Sequence, residues 1–145
     1  MFITKKITTF ETYTIRQEVL RKGKQIETCY FNGDNDSSTT HFGLFENENI
    51  IGVVSVYKTN SLLFIDEIQF QIRGMAVLEN FQNKGHGEQL LKAAEKYCWE
   101  EKANLIWFNA REKAVSFYTK SGFKIVGNSF DIPDVGIHFV MYKKN

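Results

Sequence analysis

Six consecutive residues, Gln82-Asn83-Lys84-Gly85-His86-Gly87, are of types and in an order that can hold an anion. An apolar segment, Met75-Ala76-Val77-Leu78, comes just before them, and a helical pattern, Glu88-Gln89-Leu90-Leu91-Lys92-Ala93-Ala94-Glu95, comes just after. A strand that turns through glycines into a helix start offers N–H groups with no intrahelical acceptor, at the positive end of the helix dipole. Gly85 and Gly87 let backbone approach a phosphate with no Cβ in the way. A Gly-x-Gly pair is a weak signal alone, so other glycine-loop chemistries must be tested. There is no Gly-x-x-x-x-Gly-Lys-Ser/Thr for a nucleoside triphosphate. A dinucleotide fingerprint needs a third glycine and a leading βαβ unit, and Leu90 stands where that glycine would be.

Elements must position this loop. Glu11 to Arg21 carries apolar residues at Tyr13, Ile15, Val19 and Leu20 and reads as a short helix. Asn32 to Thr40 is polar and turn-rich, and reads as a surface connection or a lid at a substrate mouth. His41 to Phe45 and Asn49 to Tyr57 read as strands joined by a hairpin at Glu46-Asn47-Glu48-Asn49. The near-continuous apolar run from Ile50 to Val56 is that of a strand covered on both faces. Ile68, Phe70 and Ile72 alternate with Gln69, Gln71 and Arg73, which predicts a strand with one apolar and one polar face, running through Gly74 to Leu78. A glycine inside a strand marks a bulge, and a bulge would splay the ladder and free amides for a ligand. A helix follows from Gly85 to about Glu101, with Leu90, Ala94, Tyr97 and Cys98 on one side. Ala103 to Ala110 reads as a strand, Glu112 to Ser121 as a short helix capped by Gly122, and Phe123 to Phe130 and Gly136 to Lys143 as closing strands around Pro133. The order predicts one α/β (mixed α+β) domain over residues 1–145: a central mixed sheet with a bulged central strand and helices on both faces.

Bulged strand, Gln-x-x-Gly-x-Gly, helix, strand, and then Asn109-Ala110-Arg111 through Tyr118 to Gly122-Phe123, form a specific combination. At this point the chain resembles the GNAT superfamily of acyl-CoA-dependent N-acetyltransferases. Gln82 to Gly87 resembles the family's Gln/Arg-x-x-Gly-x-Gly/Ala loop, which holds the CoA pyrophosphate. Met75-Ala76-Val77 resembles the strand segment whose backbone pairs with pantetheine. Ala114 to Phe123 resembles its Ala-x-x-x-Tyr-x-x-x-Gly-Phe segment. The likeness covers roughly residues 50 to 130; the first 40 residues carry little of it. Gln71 to Val77 and Asn109 to Arg111 further look like a small bacterial subgroup. The resemblance implies a twisted GNAT-like sheet and a cosubstrate, acetyl-CoA. It implies cofactor contacts at Met75, Ala76, Val77, Gln82, Asn83, Lys84, Gly85, His86 and Gly87. It also implies a reaction, acetyl transfer to a primary amine by direct attack in a ternary complex. Such folds often dimerise through their last strands. A non-catalytic module that binds or senses acyl-CoA is the alternative.

Transfer from a thioester to an amine needs a neutral amine, a place for the developing oxyanion and a proton for the thiolate. Amides near Met75 to Val77 could hold the thioester carbonyl; such donors are worth roughly 2.7–4 kcal/mol each in acyl-transfer sites. Tyr118 stands where the family has its general acid, and a phenol stays protonated at neutral pH. Tyr118 can equally be a core aromatic like Phe117 beside it. For the general base Asp66, Glu67, His138 and water all remain open. Some relatives carry an acid on the strand after the loop helix, where this chain has Ile106. Many relatives have Asn three residues before the helix alanine, where it contacts the cofactor's arm; this chain has Arg111 at that position. Either Asn109 takes that contact by a shift, or Arg111 reaches a phosphate or an anionic substrate group, or it merely ends a strand. His86 is expected in solvent or at a phosphate, and His41 at the surface.

Bulk properties narrow the classes. The chain of 145 residues suits one domain, and 43% hydrophobic with 24% charged residues is ordinary globular composition. A net charge of +1 with no basic stripe argues against nucleic acid. No apolar run reaches the ~20 residues of a membrane helix, and no signal-peptide pattern opens the chain. Cys29 and Cys98 match no metal or redox spacing and read as thiols in a reducing cytoplasm. Three scattered histidines and two cysteines predict no metal.

Overall fold

The computed structural model describes all of residues 1–145. Seven strands form one sheet: β1 (Phe2–Ile7), β2 (Thr40–Glu46), β3 (Asn49–Tyr57), β4 (Gln69–Val77), β5 (Leu105–Arg111), β6 (Lys124–Ile132) and β7 (Gly136–Lys144), in spatial order β1-β2-β3-β4-β5-β7-β6. Three helices accompany them: α1 (Tyr13–Leu20), α2 (His86–Glu100) and α3 (Val115–Lys120). All ladders are antiparallel except β4 with β5, which are joined through the helix α2. No helix is long and apolar enough to cross a membrane.

The apolar pattern decides what covers each face. On one face Val54, Val56, Phe70, Ile72, Ile106, Phe108 and Met141 pack against Leu90, Leu91, Ala94 and Cys98 of α2, with Phe117 and Tyr118 of α3 at the margin. On the other, Ile15 of α1 packs on Val53 and Ala76. Residues 51–57 of β3 are consequently buried without alternation, as a doubly covered strand requires. Helices on both faces of a mixed sheet match the fold expected from the sequence.

Two departures have physical causes. β1 is an edge strand that the sequence reading does not assign, because Lys5 and Lys6 interrupt its alternation; their ammonium groups lie over the Phe45 and Tyr97 rings, 4.4 and 5.1 Å from the centroids. The polar side of β4 is also not solvated. Gln69 and Gln71 are buried, and Gln69 is locked by the loop before it, accepting from Ser61 N–H at 2.8 Å and donating to the Asp66 carbonyl at 3.0 Å.

Candidate active site

β4 and β5 are paired only at Gln69↔Leu105, Phe70↔Ile106 and Gln71↔Trp107. Both strands continue for several residues past that point, so the sheet opens into a cleft. The opening coincides with a bulge: Ser55 faces Arg73 and Val53 faces Ala76, which leaves two residues of β4, Gly74 and Met75, opposite one of β3, Val54. Gly74 makes the bulge with φ +65°, and a Cβ there would lie 3.0 Å from the Phe31 ring. Two adjoining cavities of about 260 Å³ each share the wall formed by Arg73, Gly74, Asn109, Arg111 and His138. One runs under α3, past Met75, Phe108, Ala114 and Tyr118. The other runs under the end of α1, past Arg21, Phe31 and Gln71.

The glycine loop connects the end of β4 to α2. Asn83 and Gly85 both adopt positive φ, 61° and 86°, and Gly85 is the residue before the helix. The first backbone bond closing the helix runs from Gln89 N–H to the Gly85 carbonyl at 3.1 Å, so the amides of the preceding turn have no intrahelical acceptor. Gln82 donates its side-chain amide to the Val77 carbonyl at 2.8 Å, which fixes the loop against the end of β4. Lys84 reaches back to the Asn80 carbonyl at 3.1 Å, and Gln82 to Gly85 stay exposed. An arrangement of bare helix-start amides beside an exposed lysine suits a diphosphate.

Two side chains in the cleft can move protons. Tyr118 is half-buried among Phe108, Phe117 and Phe123, at ring distances of 4.3, 5.1 and 6.4 Å. Burial pushes its phenol up to about 12, so it is a proton donor through the physiological range. His138 is buried on β7, opposite Arg111 of β5 in the antiparallel register. Its Nδ1 lies 2.8 Å from the Gly136 carbonyl. A carbonyl only accepts, so the proton of the neutral ring sits on Nδ1 and Nε2 keeps a lone pair.

Comparison with known proteins gives this geometry a family. The model of the Acetyltransferase (GNAT) family matches residues 7–123. The chain belongs to the GNAT acetyltransferases. Over 143 residues it is 35% identical to the uncharacterized N-acetyltransferase YitI of Bacillus subtilis (strain 168), covering 99% of this chain and 96% of that one. Among solved structures it resembles an IAA acetyltransferase from Bacillus cereus ATCC 14579, with TM-score 0.73 at 16% identity and full coverage of both chains. It also resembles a GNAT family acetyltransferase from Elizabethkingia anophelis with acetyl-CoA bound, with TM-score 0.71, 17% identity and coverage of 99% and 98%. The enzyme class is therefore acetyl-CoA-dependent N-acetyltransferase.

In this GNAT chain the residues singled out from the sequence fall into three groups. Met75, Gly74, Asn109, Arg111, Tyr118 and His138 meet at the cleft. Gln82 to Gly87 stand at the start of α2, and Ala76 and Val77 join the two regions by their backbone while the Ala76 side chain packs under α1. Asp66 and Glu67 do not line the cleft. They precede β4 at its paired end, and the Asp66 carboxylate faces Lys144 at 3.7 Å. Glu67 is exposed and Ile106 is sealed in the core.

Two histidine expectations need correction. The His86 ring is buried, stacked on Phe2 at 4.2 Å and near Phe81 at 6.3 Å, so only its backbone can serve the loop. His41 is buried at 4% exposure, not on the surface. It belongs to a network that sequence reasoning missed. Arg16, fully buried on α1, donates to both oxygens of Asp34 at 2.7 and 3.0 Å, to the Cys29 carbonyl at 2.8 Å and to Ser55 Oγ at 3.0 Å. Tyr57 donates to Asp34 Oδ1 and His41 Nδ1 lies 2.6 Å from Ser55 Oγ. Asp34 comes from the polar stretch 32–40, which is thus pinned to the core and not a free surface connection. The available signal was Arg16 itself, in the stripe of Thr12 and Val19 on a short amphipathic helix. Nothing near Asp34 in sequence marked it as its partner.

The network holds Phe31 in place. The Phe31 N–H donates to Asp34 Oδ2 at 2.9 Å, and the Arg16 guanidinium lies 4.0 Å from the Phe31 ring centre. Phe31 in turn forms part of the cleft wall and backs the Gly74 bulge. A burial-driven rise in the Asp34 pKa is overcome by hydrogen bonds from Arg16, Tyr57 and the Phe31 amide, which hold its carboxyl below its ordinary value. Groups of His, Cys, Asp and Glu that could hold a metal ion do not occur.

Proposed function

We propose that this chain moves an acetyl group from acetyl-CoA to a primary amine by direct attack, with His138 as general base and Tyr118 as general acid. The observation that carries the reading is the parting of β4 from β5 on the strand whose far end leads into the glycine turn that opens α2. Backbone of Met75 to Val77 would hold the pantetheine arm, and the first-turn amides of α2 with Gln82 to Gly87 would hold the diphosphate. Asn109 faces the same space from β5.

The cosubstrate brings the activated acetyl thioester; the residues orient it and manage protons. Nε2 of His138, the nitrogen left with a lone pair when Nδ1–H faces the Gly136 carbonyl, takes a proton from the incoming amine. The amine nitrogen forms its bond to the acetyl carbon as the carbon–sulfur bond breaks. Bulge amides near Gly74 and Met75 stabilise the charge that develops on the carbonyl oxygen. The Tyr118 hydroxyl, which has no hydrogen-bond partner in the chain, gives its proton to the departing thiolate. Neither cysteine supports a covalent route, since Cys29 and Cys98 are both fully buried.

The test is calorimetric binding of CoA, followed by thiol release from acetyl-CoA with a panel of amines. Turnover that is lost in His138→Ala while CoA still binds is expected. CoA binding without turnover on any amine would instead favour a sensing module. Absence of CoA binding would overturn both.

A further inference from the structure

We propose that the acceptor is an amine that also bears an anionic group, a carboxylate or a phosphate, held by Arg73 and Arg111 with Arg21 at the rim. The amine half of this statement rests on the transferase reading above; the anion grip stands on the cleft alone. Three guanidiniums and one imidazole line the cavity under α1, and no Asp or Glu does. Local excess is not a property of the whole chain, which has 18 basic and 17 acidic side chains. The ion pairs it forms are Arg16–Asp34, Lys92–Glu88, Lys143–Glu95 and Lys144–Asp66, so the three cleft arginines have no carboxylate partner.

The arginines are also placed to bind. Arg73 donates to the Asn32 carbonyl at 3.1 Å, and its guanidinium lies 5.1 Å from the Phe31 ring centre and 5.0 Å from that of Tyr57. Arg21 lies over the same Phe31 ring at 5.3 Å. Stacking on fixed rings holds guanidinium planes in orientation and leaves most N–H donors free for a bidentate anion. Arg111 is half-buried, has no hydrogen bond within the chain, and stands opposite His138 in the β5–β7 register. An anion between Arg73 and Arg111 would therefore bring an attached amine to the imidazole. Asp34, behind Phe31, is already taken by Arg16 and Tyr57.

Charge explains which acceptors the cleft rejects. A diamine would bring a second ammonium beside unpaired guanidiniums, and like charges there disfavour it. An anionic group neutralises the cleft, while the remaining positive field favours the neutral form of the reacting amine.

Calorimetric titration of matched pairs into the CoA-loaded protein and the free protein tests the inference without needing turnover. The pairs are lysine with cadaverine and O-phosphoethanolamine with ethanolamine; the first reads a carboxylate, the second a phosphate. In at least one pair the anionic member should bind tenfold or more tightly than its partner, the range expected of charge-assisted hydrogen bonds. Arg111→Gln and Arg73→Gln should each remove most of that preference at unchanged melting temperature, with Arg111→Lys intermediate. Equal binding within both pairs, tighter binding of cadaverine or ethanolamine, binding of no member, or a preference untouched in both Gln variants would overturn the proposal. Failure of CoA binding or thiol release would count against the transferase reading alone, because the anion preference of the free protein is read separately.

Discussion

The two halves of the cleft are made of different materials. The half facing α2 and α3 is mostly backbone: a bulge at Gly74, a strand that leaves its neighbour after Gln71, and a helix start at Gly85. The half facing α1 is mostly side chains, brought together from α1, the stretch 29–34, β3, β4, β5 and β7 and tied by the Arg16–Asp34 pair. In the proposed reaction the backbone half would hold the groups common to every turnover, a thioester arm and a diphosphate. Side chains supply what distinguishes one acceptor from another. One chain can therefore keep the first half while altering the second by substitution.

If the halves are separable, breaking the tie should harm one and spare the other. Asp34→Asn leaves a fully buried guanidinium without its counter-charge and should cost about 3–5 kcal/mol of stability, read as a lower urea midpoint. For a domain of this size that is a fall of about 10–16 °C in melting temperature. CoA affinity of the folded protein should stay within about threefold of its starting value. Equal loss of CoA binding would show that the halves act as one unit.

Tyr118→Phe tests the catalytic end of the backbone-built half. Its hydroxyl has no partner in the chain, so its removal orphans no buried group and the melting temperature should not change. Turnover should fall about a hundredfold, the low end for loss of a general acid, with the Michaelis constant for acetyl-CoA unaltered. Unchanged turnover would make Tyr118 a wall residue.

Gly85→Asp tests the anion end of the same half. Nothing lies within 4 Å of a Cβ at this position, so crowding is absent. The positive φ of 86° costs an L-residue about 1 kcal/mol, and a carboxylate at the mouth of the helix start competes with phosphate. CoA affinity should fall about thirtyfold with a small loss of stability. Intact affinity would remove the glycine loop from the site.

The contrast in materials also explains what could be read from sequence. Glycines and periodicity report backbone directly. Gly74 within an alternating strand announced the bulge, and the Gly85-His86-Gly87 run before Leu90 and Leu91 announced the helix start. Tyr118 stands out in sequence only through the resemblance of Ala114 to Phe123 to a family segment, with a core aromatic as the other reading, and the structure sets it at the cleft. Side-chain networks joining distant segments leave no such trace. Arg16 and Asp34 are 18 residues apart, and Ser55 and Tyr57 lie further still. Polarity misled as well, in that network and at the start of β4: His41, Asp34 and Gln69 look solvated in sequence and are buried because partners satisfy them. The position of His138 could be named but its tautomer could not, since the Gly136 carbonyl that fixes it becomes relevant only once β7 is built.

The smallest expected effect concerns pH and belongs to the side-chain half. His41 accepts at Nδ1 from Ser55 Oγ and donates from Nε2 to the Asp34 carbonyl, with contacts of 2.6 and 3.0 Å, while Ser55 Oγ accepts from Arg16. A proton added at Nδ1 would meet that hydroxyl with a guanidinium behind it. Burial lowers the His41 pKa, and the Arg16 charge lowers it further against the opposing pull of Asp34. With the folded value below the unfolded one, the unfolded chain binds more protons on acidification, so stability is full above the unfolded pKa of about 6.5 and declines as pH falls below it. Asp34 acts in the same direction further down: its depressed value makes its contribution complete above about pH 4 and lost below. Urea midpoints should hold from pH 8 to about 6.5 and fall from there to pH 5 in the native chain. His41→Asn should flatten that slope and leave the decline below pH 4 in place. CoA affinity should show no matching slope, since no link of this network reaches the start of α2, and a matching slope would mean that protonation in one half is felt in the other.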